Sequence, residues 1–174
     1  MHVSKRLDYI GESPTMKVAA KAKQMKSEGH DVVNLSMGEP DFPTPENIKE
    51  AAKKAIDNNQ TKYTINAGTV ELRESIVNRI KDDYGLDYSI NEIMVSSGVK
   101  HSVFNAIQAI CYTGDEIIIP APYWVSYPHM ASLAQAESKI IETSQDSGFK
   151  ITADQLKESI TPSTQALILC NPSN

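Results

Sequence analysis

The sequence predicts an α/β fold built on a largely parallel sheet. Two observations predict it. Short apolar runs of strand length recur along the second half: Ile93-Met94-Val95-Ser96, Glu116-Ile117-Ile118-Ile119, Lys139-Ile140-Ile141-Glu142 and Ala166-Leu167-Ile168-Leu169-Cys170. Stretches with helical spacing lie between them, and alternating strands and helices give parallel pairing with helices packed on the sheet.

The elements follow in chain order. Pro14 to Glu28 reads as a helix with Val18, Ala22 and Met25 on one face and Gly29 as its stop. Val32-Val33-Asn34-Leu35 reads as a short strand. The Pro-rich stretch from Pro40 to Pro45 is a boundary. Thr44 is placed to cap the next helix, with Pro45 in its first position and Ile48, Ala51, Ala52, Ala55 and Ile56 forming its apolar stripe. A polar loop from Tyr63 to Gly68 leads to Thr69, the cap of a helix carrying Leu72, Ile76 and Ile80 and ended by Gly85. The strand at Ile93–Ser96 is followed by a helix from about Val99 to Tyr112, with Val103, Phe104, Ile107 and Ile110 facing a core. The strand at Glu116–Ile119 precedes a helix from about Pro128 to Ala134. The strand at Lys139–Glu142 precedes a short helix opened by Thr152 and Gln155 as a capping box.

Composition narrows the function. Hydrophobic residues make up 40% of the chain and charged residues 22%, enough apolar side chain to build a core. The net charge of −5 argues against a nucleic-acid partner, which selects a basic face. Cys111 and Cys170 each sit in an apolar run and read as buried free thiols in a reducing compartment. Neither a signal peptide nor an apolar stretch long enough to span a membrane is visible, so the expected location is cytoplasmic. His2, His30, His101 and His129 are scattered without metal-ligand spacing, and no metal site is expected.

Three places hold residues that can carry chemistry. Ser96-Ser97-Gly98-Val99-Lys100 lies where a strand meets a helix start, and free N–H groups plus the helix dipole favour an anion there. The bland reading is an ordinary tight turn. Trp124, the only tryptophan, follows Pro122-Tyr123 at the carboxyl end of a strand, the edge where α/β folds bind ligands. A planar ring can stack on a flat cofactor there, or it can be a core residue. Asn171-Pro172-Ser173-Asn174 follows another strand and reads locally as a turn.

Together, Gly38-Glu39-Pro40-Asp41-Phe42-Pro43-Thr44-Pro45, Pro120-Ala121-Pro122-Tyr123-Trp124-Val125-Ser126-Tyr127-Pro128 and Leu169-Cys170-Asn171-Pro172-Ser173-Asn174 resemble the class I aminotransferases that use pyridoxal 5'-phosphate (PLP), in their bacterial aspartate aminotransferase branch. The resemblance covers the whole chain. It implies fold type I of the PLP-dependent transferases, with an incomplete sheet. Residues 1–40 would form the N-terminal arm and first part of a small domain, and 41–174 the first part of the large PLP-binding domain.

The resemblance also assigns roles. Gly98, Val99 and Lys100 match the phosphate corner, with Val99 lacking the hydroxyl that many members carry; the Lys100 side chain either adds charge or sits in solvent. Trp124 matches the ring that stacks on PLP. Asn174 matches the donor to its phenolic oxygen, although the Pro-Thr-Gly continuation of that motif is not in the sequence. Gly38 matches a backbone contact near the substrate carboxylate, and Tyr63 a tyrosine that reaches the phosphate of the partner subunit in a homodimer. The substrates implied are an amino acid and a 2-oxo acid, aspartate and 2-oxoglutarate first, with prephenate, alanine or aromatic amino acids as alternatives. The covalent lysine, the aspartate at the pyridine nitrogen and the arginine for the substrate carboxylate are expected beyond Asn174. The chain therefore reads as an N-terminal fragment, expected to be inactive and aggregation-prone alone. A regulatory domain on the same fold is the remaining alternative, disfavoured by the acidic charge.

Overall fold

The structure, a computed structural model, describes residues 4–8, 10–11, 14–36 and 38–173. Its helices are α1 (Pro14–Ser27), α2 (Glu46–Asp57), α3 (Val70–Tyr84), α4 (Val99–Ile110), α5 (Ser126–Leu133) and α6 (Ala153–Ser159); its strands are β1 (Glu116–Pro120), β2 (Glu137–Ile141) and β3 (Thr164–Leu167). The chain divides into two compact units. One takes the residues up to Val32 and those from Val103 onward; the other takes Val33–Ser102.

In the first unit the strands form a parallel sheet in the order β2-β1-β3. The central β1 owes its place to Ile117, Ile118 and Ile119, all fully buried. Ile117 and Ile119 point into one cluster with Ile107, Cys111, Met130 and Ala131. Ile118 points to the opposite face and is equally buried, so both faces of β1 are covered. The topology explains this. The β1–α5–β2 and β2–α6–β3 connections run across the sheet in opposite directions, and right-handed crossovers then put α5 and α6 on opposite faces. α6 opens with the capping box expected from sequence: Gln155 N–H donates to Thr152 Oγ1 at 3.1 Å, and Thr152 N–H to Gln155 Oε1 at 2.9 Å.

A polar tie closes the amino end of this sheet. Thr161 Oγ1 donates to Glu116 Oε2 at 2.6 Å, Thr164 Oγ1 adds a contact at 3.3 Å, and Lys139 Nζ stands 3.7 Å away. Glu116 on β1 thus bridges β2 and the approach to β3. The Thr161 hydroxyl, with Lys139 and Thr164, holds the Glu116 carboxyl below its ordinary range against the opposing effect of desolvation. A depressed folded pKa stabilises above the unfolded value and is lost as pH falls through the folded one. Glu116→Gln is therefore expected to flatten the loss of stability below about pH 5, measured by urea unfolding across the acid range. An unchanged acid limb would show that the tie contributes nothing.

The second unit holds α2, α3 and the approach to α4. Thr69 caps α3 by accepting from Leu72 N–H at 3.4 Å, and Gly85 closes it in the left-handed conformation. Arg73 is buried and donates from a guanidinium nitrogen to the Ile90 carbonyl at 3.1 Å.

Several sequence expectations need correction. Val32–Leu35 is not a strand: Val33 and Leu35 are 81% and 90% exposed, and Asn34 Oδ1 accepts from Ser36 N–H at 3.1 Å, a local bond that competes with a ladder. Ile93–Ser96 starts extended but pairs with no strand among the described residues; Val95 N–H donates instead to the Ala67 carbonyl at 2.9 Å. The helix expected from Thr44 has Pro45 at its cap and starts at Glu46. On α1 Val18 is exposed, so that helix presents Ala19, Ala22 and Met25 instead. Cys111 takes the core place expected of Ile110, which is exposed. Cys170 is only half-buried. No helix among the described residues is long and apolar enough to cross a membrane, and no group of three or more metal-binding side chains is found among them.

Candidate functional site

In the first unit the chain leaves β1 toward β2 on one side and later returns to lay β3 on the other. The reversal makes the gap between the carboxyl ends of β1 and β3 a topological switch point, where open parallel sheets bind ligands. Both signature turns of this unit emerge there: Ala121–Trp124 from β1, and Asn171–Ser173 after β3. Ile168 N–H donates to the Ile118 carbonyl at 2.9 Å and carries the pairing of β3 past its last ladder residue toward this end. A cleft of about 470 Å³ opens here, lined by Pro122, Tyr123, Tyr127, Phe149, Cys170 and Asn171 among others.

The β1 turn is fixed at its base. Ala121 N–H donates to the Ile141 carbonyl at 2.9 Å, and the Thr143 hydroxyl donates to the Ala121 carbonyl. The Ala121-Pro122 and Asn171-Pro172 peptide bonds are both cis. Trp124 is half-buried against the core, and its ring meets that of Tyr127 edge to face, with centroids 5.5 Å apart and planes at 88°. Trp124 is not among the cleft's lining residues; Tyr123 and Tyr127 are. Sequence reasoning singled out Trp124 and passed over Tyr127. The signal was available: Tyr127 stands three residues on, in the first turn of α5, where a side chain returns to the same side.

The phosphate-corner residues lie in the second unit. Gly98 has φ +85°, and a Cβ built on it meets nothing within 4 Å, so the backbone is open on that side. Val99 opens α4, and the first turn of a helix leaves N–H groups without intrahelical acceptors. This arrangement suits an oxyanion. His101 Nδ1 accepts from Ser97 N–H at 3.2 Å, a capping contact that the sequence reading did not include. Tyr63 is fully exposed on its loop, and Gly38 is exposed. Asn174 and His2 lie outside the described residues.

A parallel sheet with ligand-facing turns at a switch point defines an α/β ligand-binding or enzyme fold. The comparisons give the family. The family described as aminotransferase class I and II matches residues 30–174, and the chain belongs to it. It is 46% identical over 174 residues to the aspartate/prephenate aminotransferase of Nitrosomonas europaea, covering 100% of the chain and 44% of that protein. It is 44% identical to the aspartate aminotransferase of Geobacillus stearothermophilus, with the same coverage. The crystal structure of the Rhizobium meliloti aspartate aminotransferase superposes with a TM-score of 0.95 at 42% identity, over 100% of this chain and 44% of that one. The Thermus thermophilus aspartate aminotransferase with maleate gives 0.93 at 40% identity, over 97% of this chain and 44% of that one. The chain therefore spans less than half the length of these relatives and shares the fold of PLP-dependent transferases of fold type I over that span.

Proposed function

We propose that the protein carrying this chain is a PLP-dependent aminotransferase that moves the amino group of aspartate to 2-oxoglutarate. The observation that carries the reading is the emergence of the Pro122-Tyr123-Trp124 and Asn171-Pro172-Ser173 turns at the carboxyl ends of adjacent parallel strands. The names of the relatives supply the substrate class: aspartate is common to those of Nitrosomonas europaea, Geobacillus stearothermophilus and Rhizobium meliloti.

In this reading Gly98, Val99 and Lys100 bind the phosphate, Gly98 by letting it approach the backbone and Val99 through its N–H at the start of α4. Trp124 holds the plane of the cofactor ring, Asn174 donates to its phenolic oxygen, and Gly38 lies against the substrate carboxylate. PLP supplies an electron sink for the charge that develops on the substrate α-carbon. The covalent lysine, the aspartate at the pyridine nitrogen and the arginine for the substrate carboxylate are assigned outside these 174 residues. Residues 1–40 belong to the arm and small domain and 41–174 to the large domain of a cytoplasmic homodimer. Full exposure of Tyr63 leaves it able to reach a partner's phosphate.

Titrating the full gene product with PLP and following its visible absorbance tests the reading, with aspartate then added to discharge the band and 2-oxoglutarate to restore it. Trp124→Ala is expected to weaken PLP binding by at least about fivefold, the share of a stacked ring beyond its lost area. A wild-type protein that takes up no PLP, or whose bound PLP ignores aspartate, overturns the assignment. Unchanged affinity in Trp124→Ala would make that ring a core residue.

A further inference from the structure

Arg73 is a buried cation that the function above leaves without a role. It lies in the second unit near the start of α3, with only 8% of its surface exposed. Its guanidinium donates to one acceptor among the described residues, the Ile90 carbonyl, 3.1 Å from Nη1. Its Nε, shut off from solvent, meets no acceptor among them. Burying a guanidinium on a single neutral acceptor is costly. A methionine would fill comparable space without that cost, so packing alone does not account for an arginine here.

The bonds around the contact show what it holds. Ile90 opens a single 3₁₀ turn, Ile90–Glu92, closed by Glu92 Oε2 accepting from Ser89 N–H at 2.8 Å. The Ile90 carbonyl also accepts from Ile93 N–H at 3.3 Å, where the run toward Gly98 begins. That run has a second tie at Val95, whose N–H donates to the Ala67 carbonyl at 2.9 Å. It ends in a turn where Ser97 N–H donates to His101 Nδ1 at 3.2 Å and the Gly98 carbonyl accepts from His101 N–H at 3.1 Å. Both ties come from one short stretch, residues 67–73. The start of α3 stiffens it: Thr69 caps the helix, and Arg73 N–H donates to the Thr69 carbonyl at 3.1 Å. Two ties fix the direction of the run as well as its position. With Val95 as its only tie the run would pivot there, and Gly98 would swing with it.

We propose that Arg73 is a positioning residue of the phosphate corner. By holding the Ile90 carbonyl it aims the run 93–97, so that Gly98 and the first N–H groups of α4 stand where an oxyanion binds. The proposal rests on the PLP reading above. In this role Arg73 acts through the backbone alone, and the planar, rigid guanidinium sets the direction of the contact as a flexible ammonium would not.

The test uses the full gene product, with PLP and pyridoxal as paired probes. Pyridoxal has the same ring and no phosphate, so it reports the rest of the site. Arg73→Met keeps the bulk and removes the donor. It is expected to weaken PLP binding about fivefold, the worth of one net hydrogen bond, and to leave pyridoxal binding unchanged. Arg73→Lys keeps a cation and a donor and should recover part of the PLP affinity. Arg73→Met leaves no orphaned acceptor, because the Ile90 carbonyl keeps the Ile93 N–H. Should it still fail to accumulate, Arg73→Lys carries the same paired comparison.

Equal losses for PLP and pyridoxal, with a lowered melting temperature, would mean that Arg73 serves the fold alone, and that outcome overturns the proposal. A wild-type protein that binds no PLP overturns the cofactor reading and this proposal with it; wild-type PLP binding alongside unchanged PLP affinity in Arg73→Met overturns this proposal alone.

Discussion

Ile117→Ala and Ile118→Ala are each expected to lower the unfolding free energy by about 3 kcal/mol, within the range for truncating a buried isoleucine. Both side chains are fully buried in β1, but on opposite faces. Ile117 faces the cluster with Ile107, Cys111 and Ala131; Ile118 faces the other layer. In a sheet with one wet face the alternate residue would be exposed and its truncation nearly silent. Near-equal losses from the two variants therefore report that both layers are closed. Chemical denaturation of the full gene product measures this, with Ile117→Val and Ile118→Val, at about 1 kcal/mol each, as graded variants should the alanine forms fail to accumulate. A loss at Ile117 without one at Ile118 would mean that the second face is not packed in solution.

The same strand shows why part of the fold was legible from residues alone. Three consecutive isoleucines bounded by Glu116 and Pro120 give a short apolar run, and its burial follows from composition. The α6 start was legible for a different reason: Thr152 and Gln155 satisfy one another's backbone, so the signal is complete within four residues. Val32–Leu35 and Ile93–Ser96 carry the same apolar content but need a neighbouring strand to become strands, and no local signal supplies one. Among the described residues Val95 finds only the Ala67 carbonyl, and Asn34 turns its side chain onto Ser36.

The site divides in the same way. Trp124 and the Asn171-Pro172 turn were legible because each follows an apolar run directly, and a parallel fold carries such turns to the same edge of the sheet. The joint place of Tyr127 and Cys170 in the cleft lining was not. The two are far apart in sequence and are brought to one cleft because β3 returns beside β1. The His101–Ser97 contact was missed for a smaller reason: a histidine four residues after a serine has no fixed meaning until the helix start is placed at Val99.

Gly68→Ala is expected to cost about 3 kcal/mol and to weaken phosphate binding at the Gly98 corner. Gly68 has φ +97°, which costs a non-glycine residue about 1 kcal/mol. Its added Cβ would also lie 2.7 Å from Val95 Cγ2 and 2.8 Å from Val95 Cβ. Rotating the valine moves the first atom and leaves the second, which is fixed by the backbone, so the segment itself must shift. Overpacking of this kind adds about 1–3 kcal/mol. The segment that shifts is Ile93–Ser96, held at this point by Val95 N–H on the Ala67 carbonyl and running directly into Gly98. Stability and phosphate affinity should therefore fall together. Val95→Ala keeps a Cβ and removes both Cγ atoms, so in the double variant the 2.7 Å contact disappears while the 2.8 Å contact and the positive φ remain. The double variant should be more stable than the sum of the single losses predicts, by about 1 kcal/mol. Denaturant unfolding of the four forms, with a PLP titration of each, makes the comparison. Strict additivity would show that the Val95 Cγ2 contact adds nothing to the cost at Gly68, and an unchanged PLP affinity in Gly68→Ala would disconnect this contact from the anion corner.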